Sequence, residues 1–285
     1  MAPRRAPTIL QRRFGTELRR LREGADMPVP LAAQHLGTDR TVISNVEAGR
    51  FGISEERLRR LAAIYECDDD ALIDALVALM GGRRSPGWWE EYRGKIPPGF
   101  LDVAELEDYA VGLRTVQIAH LPGLFHTEEH ARAIFDLPAP PLPRLEVELR
   151  VAQRLARQVV VTGDDPVPYV GVVHEAGIRM QIGGRRVTRA QLQHLLESSE
   201  RPNVTLRVIP FSAGGFPLLG DASVLYAQAP NHHLDTVQLD SPTGAVFFDS
   251  PTQLANFRTR LDLVEKVALT PNKSRDFIRT VIKEL

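Results

Sequence analysis

The stretch Leu31–Arg50, LAAQHLGTDRTVISNVEAGR, decides how the chain is read. It reads as a helix burying Leu31, Ala32 and Leu36, a tight turn at Gly37, and a second short helix beginning at Asp39. On the second helix Ile43 and Val46 point inward at i,i+3, while Arg40, Thr41, Ser44 and Asn45 point outward. An outward face of short polar side chains on a helix held across another is the geometry used to read a major groove.

The flanks supply the supporting helices. From Gln11 to Gly24, Phe14, Leu18 and Leu21 recur at i, i+4, i+7, with Arg12, Arg13, Arg19 and Arg20 on the other faces. Pro28 and Pro30 limit where the next helix can start, because proline is tolerated only in a first turn. Ser54 caps a fourth helix with Glu55 and Glu56 in its first turn, and Leu58, Leu61, Ala62 and Tyr65 form its buried stripe. Asp68–Asp70 open a fifth helix carrying Leu72, Ile73, Leu76, Val77 and Met80. Residues 1–8, with two prolines and two arginines, read as a loose terminus rather than an arm laid along a duplex.

Five short helices with FGTELRRLRE, LAAQHLG and TVISNVEAGR followed by ISEERLRRLAAIY resemble the lambda-repressor-like, or Xre-type, helix-turn-helix family over residues 11 to about 80. The resemblance implies that Arg40, Thr41, Val42 and Asn45 face base edges. Arg40 would bond guanine, Asn45 adenine, and Val42 or the Thr41 methyl would pack on a thymine methyl. It implies phosphate contacts from Arg19, Ser44, Arg50 and the start of the second helix. It also implies a salt bridge between Arg22 and Glu47 that sets the angle of the reading helix, against the plainer reading of two unrelated surface charges. The family often has a polar phosphate ligand where this chain has Pro28, so backbone or neighbouring arginines would have to substitute.

Charge is segregated. Residues 1–60 hold twelve arginines, no lysine and seven acids, a balance of +5, whereas the 285-residue chain carries −1. A basic front on an acidic body suits an N-terminal module that meets phosphate. Cys67 is the only cysteine, so no intrachain disulfide is expected. No stretch approaches the ~20 apolar residues of a membrane span, and the N-terminal residues hold no apolar run long enough for a signal peptide. The expectation is a soluble cytoplasmic protein with no membrane contact.

Gly81–Gly87, GGRRSPG, reads as a linker, which gives domains at 1–82 and 83–285. Trp88 and Trp89 read as an anchor for that linker, with an interface role as the sharper alternative. Beyond them the spacing predicts a helix over Val103–His120, a short one capped by Thr127, and one over residues 143–160 burying Leu145, Leu149, Ala152, Leu155 and Val159. Arg150, Arg154 and Arg157 lie on one face of that last helix. We read them as solvated or in subunit salt bridges, rather than as a second phosphate stripe. YVGVVHE, VTLRVIP, ASVLYAQ, DTVQLD and GAVFFD read as strands, a helix runs over Thr188–Ser199, and two helices close the chain. The fold class is thus an all-α five-helix helix-turn-helix domain followed by an α+β domain with a small, mostly antiparallel sheet flanked by helices.

WWEEY, LEDYAVGLRTVQIAHLPGLFHTEEHARAIF, RVAQRLARQ, HEAGIRMQIGG, QLQHLLE and RPNVTLRVIPFSAGGF look like the C-terminal domain of actinobacterial WhiJ-like regulators. That resemblance implies an antitoxin-like transcription regulator with a small protein partner encoded nearby.

Chemistry is sparse. His126 and His130 stand at i,i+4 with His120 near, but HTEEH is not HExxH, and they read as surface and capping residues without metal. SAGGF after a strand lacks the Lys-Ser/Thr of a phosphate loop, GGRR at 183–186 is similarly weak, and no GxSxG, kinase set or GxGxxG occurs. The sequence therefore reads as a DNA-binding homodimer on double-stranded DNA, with no catalytic residues, no cofactor and no enzyme activity. Two alternatives stand beside it: a C-terminal domain that senses a small-molecule effector, and a protein-interaction adaptor that reads no DNA.

Overall fold

The computed structural model describes residues 6–80, 87–241 and 244–285. The chain divides into two compact units, Met1–Trp88 with Ala229–Asp235, and Trp89–Gln228 with Thr236–Leu285. The 82/83 boundary and all of the expected linker except Gly87 lie outside the described residues, as do residues 1–5 of the expected terminus.

The first unit holds α1 (Ile9–Gly24), α2 (Val29–Leu36), α3 (Arg40–Glu47), α4 (Glu55–Ile64) and α5 (Asp70–Met80). The starts of α1, α3 and α4 have local causes. Thr8 and Gln11 form a capping box on α1, Asp39 caps α3 and Ser54 caps α4. Gly37 in the left-handed region (φ 68°) ends α2, and the Thr38 N–H turns back to the Ala33 carbonyl at 2.9 Å. The core joins Ala32, Ala33, Leu36, Ile43, Leu61 and Tyr65. Leu31, expected inside, is 40% exposed, and Ala33 takes its place on the buried face.

The second unit runs α6 (Pro98–Tyr109), β1 (Gly112–Gln117), α7 (Glu128–Phe135), α8 (Arg144–Ala156), α9 (Val159–Thr162), β2 (Tyr169–His174), α10 (Glu175–Arg179), α11 (Gly184–Ser198), β3 (Val204–Ile209), β4 (Ser223–Gln228), β5 (Thr236–Ser241), β6 (Gly244–Phe248), α12 (Pro251–Val267) and α13 (Pro271–Glu284). Its six strands form one sheet in the order β3-β2-β1-β4-β5-β6. The β2–β3 and β1–β2 pairs are parallel, and the other three are antiparallel, so the sheet is mostly antiparallel with helices packed on it. On one face Val116, Val172, Val224 and Val237 pack with Leu254, Phe257, Leu261 and Val264 of α12, and Arg114 bonds Asp262 and Glu265. On the other, Thr115 meets the Tyr169 hydroxyl, and the Tyr169 ring stands edge-on to Phe125 at 4.9 Å.

Two sequence expectations fail here. The expected helix Val103–His120 stops at Tyr109, and its second half is β1, the strand that joins the parallel and antiparallel parts of the sheet. A strand covered on both faces has no polar alternation, so Leu113 and Val116 also fit a helical spacing. The other failure is the phase of α8. Val147, Val151 and Gln153 are its buried residues, whereas Leu145 is 71% exposed and Ala152 is exposed. Val159, just beyond, is 49% exposed. The arginine face is the one drawn inward: Arg157 is buried, and Arg150 and Arg154 are half-buried.

Candidate nucleic-acid interface

The first unit presents α3 on a scaffold of backbone contacts. A Cβ on Gly15 of α1 would lie 2.3 Å from the Glu47 carbonyl oxygen, and one on Gly49 would lie 2.6 Å from that of Gln11. The end of α3 therefore rests directly on α1, an approach only glycine permits. Gly49 also needs its freedom for φ 68°. Sequence reading singled out neither Gly15 nor this contact, since a glycine inside a helical pattern signals no partner by itself.

Arg22 and Glu47 lock the same junction. Arg22 Nε and Nη2 donate to the two Glu47 carboxylate oxygens at 2.6 and 3.0 Å, and Nη1 donates to the Met27 carbonyl at 2.8 Å. Both side chains are below 10% exposed. The Glu47 bond is the main cause that raises the Arg22 pKa above its ordinary value. Beside them burial pushes the Tyr65 hydroxyl up to about 12, with Glu47 adding to the shift.

Arg13, expected among the outer arginines of α1, is 1% exposed. It donates to Glu17 at 3.0 Å and to the His233 carbonyl, within the segment Ala229–Asp235 of the same unit, and Arg20 also bonds Glu17.

The outward face of α3 carries Arg40, Thr41 and Ser44 exposed, with Val42 and Asn45 half-buried. Asp39 Oδ1 accepts both the N–H and the hydroxyl of Thr41 at 2.7 Å, bonds that hold the Asp39 carboxyl below its usual range. Asn45 Nδ2 donates to the Thr41 carbonyl at 2.8 Å, so its amide would have to turn outward to meet a base edge. Arg50 follows α3 and is exposed. Arg19 on α1 is exposed and pairs with Glu23 at 2.7 Å. The start of α2 is a poor anion site. Neither Pro28 nor Pro30 has an N–H, and the Leu31 N–H bonds the Pro28 carbonyl at 3.0 Å.

Elsewhere the groups considered for chemistry are spent on structure. Just before the SAGGF loop, the Phe211 N–H donates to Glu175 at 2.8 Å. Arg185 of GGRR donates to the carbonyls of Glu284 and Leu285, and Arg186 pairs with Glu129. Trp89 is buried within a short 3-10 turn, Trp88–Tyr92. His126 and His130 are not surface residues: they are 2% and 1% exposed. Among the described residues, no three His, Cys, Asp or Glu side chains are grouped to hold a metal ion, and no helix is long and apolar enough to cross a membrane.

Residues 13–76 match the family described as a helix-turn-helix domain. Residues 100–280, more than half of the chain, match the family described as a domain of unknown function, DUF5753. No curated protein and no solved structure matches the chain. The chain therefore belongs to the DUF5753 family, with a helix-turn-helix domain preceding the family's domain.

Proposed function

We propose that the protein is a sequence-specific DNA-binding transcription regulator of the Xre type that sets α3 into the major groove. The observation that carries this reading is the helix-turn-helix match over residues 13–76 together with the outward polar face of α3. Arg40, Thr41, Val42 and Asn45 read bases there, and Arg19, Ser44 and Arg50 meet phosphates. The Arg22–Glu47 pair and the Gly15 contact hold the angle at which α3 enters the groove. Pro28 and Pro30 weaken the phosphate grip at α2, which shifts weight to Arg50 and to Arg19 once it leaves Glu23.

Residues 1–82 are the DNA module, and 83–285 carry dimerisation and a small protein partner, as in WhiJ-like, antitoxin-like regulators. A homodimer would place two α3 helices on half-sites about one helical turn, ~10 bp, apart. A mobility-shift assay on DNA upstream of the protein's own gene tests the reading. Retardation at low salt that falls steeply as salt rises is expected, because phosphate contacts release counterions. Absence of any shift at low salt would sink it.

A further inference from the structure

The inward face of α8 and the residue just past its end carry three guanidinium groups, and among the described residues only two of them bond a carboxylate. Arg150 bonds Glu146, and Arg157 makes a bidentate pair with Glu107 at 2.8 and 2.6 Å. Arg154, between them, has no carboxylate partner among the described residues. Its Nη1 lies 3.2 Å from His126 Nδ1, its guanidinium sits 5.1 Å from the Phe135 ring centroid, and its buried Nε has no partner. Glu107 and Asp240 also face this group, but Glu107 is held bidentately by Arg157, and Asp240 is exposed and accepts from Gln238 Nε2 at 2.7 Å.

The imidazoles beside Arg154 do not balance it. Leu121 offers only a carbonyl oxygen to His126 Nε2 at 2.9 Å, so Nε2 carries the proton. Arg154 can only donate, so Nδ1 presents its lone pair and the ring is neutral. Both lone pair and proton are thereby committed, which leaves His126 nothing for a metal. His130 stacks edge-on at 4.8 Å, is 1% exposed, and has no hydrogen-bond partner at either ring nitrogen among the described residues. Buried polar groups are almost always paired, so an unpaired imidazole beside an uncompensated guanidinium leaves two unmet demands in one place. Gly123 gives the arginine its room, since a Cβ there would lie 2.9 Å from Arg154 Nη1. Arg154 taken as a whole residue is partly exposed, and exposed His120 is near enough to weaken the basicity of His130.

We propose that Arg154 and His130, with His126 orienting the guanidinium, form a binding site for the carboxylate group of a small soluble effector. One uncompensated positive charge calls for one negative charge, and a planar carboxylate matches the guanidinium fork. His130 would donate one ring N–H to the same oxygens. A phosphate dianion would leave an excess negative charge unless His130 also took up a proton.

The test is acetate binding to the full-length protein without DNA, so its outcome is independent of the DNA-reading role. Histidine-labelled protein is titrated with acetate at constant ionic strength against chloride. The His130 ring signals should shift and saturate at roughly millimolar acetate, while those of His232 stay still. Arg154→Gln should weaken the binding about thirtyfold or more, and Arg154→Lys, which keeps the charge and loses the fork, should weaken it less. Should Arg154→Gln fail to fold, Gly123→Ala serves instead, because its methyl would crowd Arg154 Nη1 and should also weaken the binding. Arg40→Ala/Arg50→Ala should bind acetate as the parent does. Failure of acetate to saturate, binding lost in Arg40→Ala/Arg50→Ala, or inorganic phosphate shifting His130 where acetate does not would each overturn the assignment.

Discussion

Helices α3 and α8 are both amphipathic, and the fold turns them opposite ways with respect to charge. α3 buries Ile43 and Val46 and leaves Arg40, Thr41 and Ser44 outside. α8 exposes Leu145 and Ala152 and draws in Arg150, Arg154 and Arg157, the last just past its end. What differs is what each helix meets. Glu107, Glu146 and the rings of Phe100 and Phe135 receive the α8 arginines, which offsets much of the cost of removing guanidinium from water. No hydrogen-bonded carboxylate among the described residues receives Arg40. A row of arginines marks the outside of a helix only when the fold has nothing to pair with it.

Breaking that pairing should have the largest effect. Glu107→Ala leaves Arg157 buried and alone, and should cost about 3–5 kcal/mol in urea unfolding. A loss below about 1 kcal/mol would mean the inward face of α8 is not held by charge. Acid comes next. Burial, with His120 and Arg154 nearby, lowers the His130 pKa to about 4, and His126 shifts in the same direction. With a folded pKa below the unfolded 6.5, the unfolded chain binds more protons in between. Stability is then full above pH 6.5 and is lost as pH falls towards 4, by about 3 kcal/mol for His130 alone. Thermal melts across that window check the sign, and His130→Phe should flatten the slope.

On the other side of the comparison, Glu47→Ala strips the partner from Arg22 and should destabilise the first unit by about 2–3 kcal/mol. It should weaken DNA binding more than its exposed neighbour Ser44→Ala does. The smallest effect sharpens the phase of α8: Leu145→Asn should stay within about 0.5 kcal/mol of the parent, whereas Val147→Ala should cost at least about 1 kcal/mol. Equal losses at 145 and 147 would restore the phase expected from sequence.

The first unit was legible because its signals are local. Asp39, Gly37 and Ser54 each specify a helix end within a turn or so of sequence, and the i,i+3 pair Ile43/Val46 has one reading. The second unit depends on what meets what. Leu113 and Val116 fit a helix and a doubly covered strand equally well, and only pairing with Tyr169–Val173 and Ser223–Gln228 decides. The phase of α8 was ambiguous for the same reason, since Leu145, Ala152 and Val159 make a passable apolar stripe and Glu107 lies 50 residues away from Arg157. Within the candidate interface, sequence reading reached the outward residues of α3 but not Gly15, whose contact is with the far end of α3. Nor did it place Arg13 inside, since the carbonyl of His233 lies 220 residues further along the chain.

The central claim is that the outward face of α3 selects sequence. Random duplex DNA enriched by the parent protein should yield a motif, and Arg40→Ala/Asn45→Ala carried through the same selection should yield none. That variant should still bind DNA in a salt-dependent way, because its phosphate contacts remain. If it enriches the same motif with the same preference, α3 does not read the bases and the account is wrong.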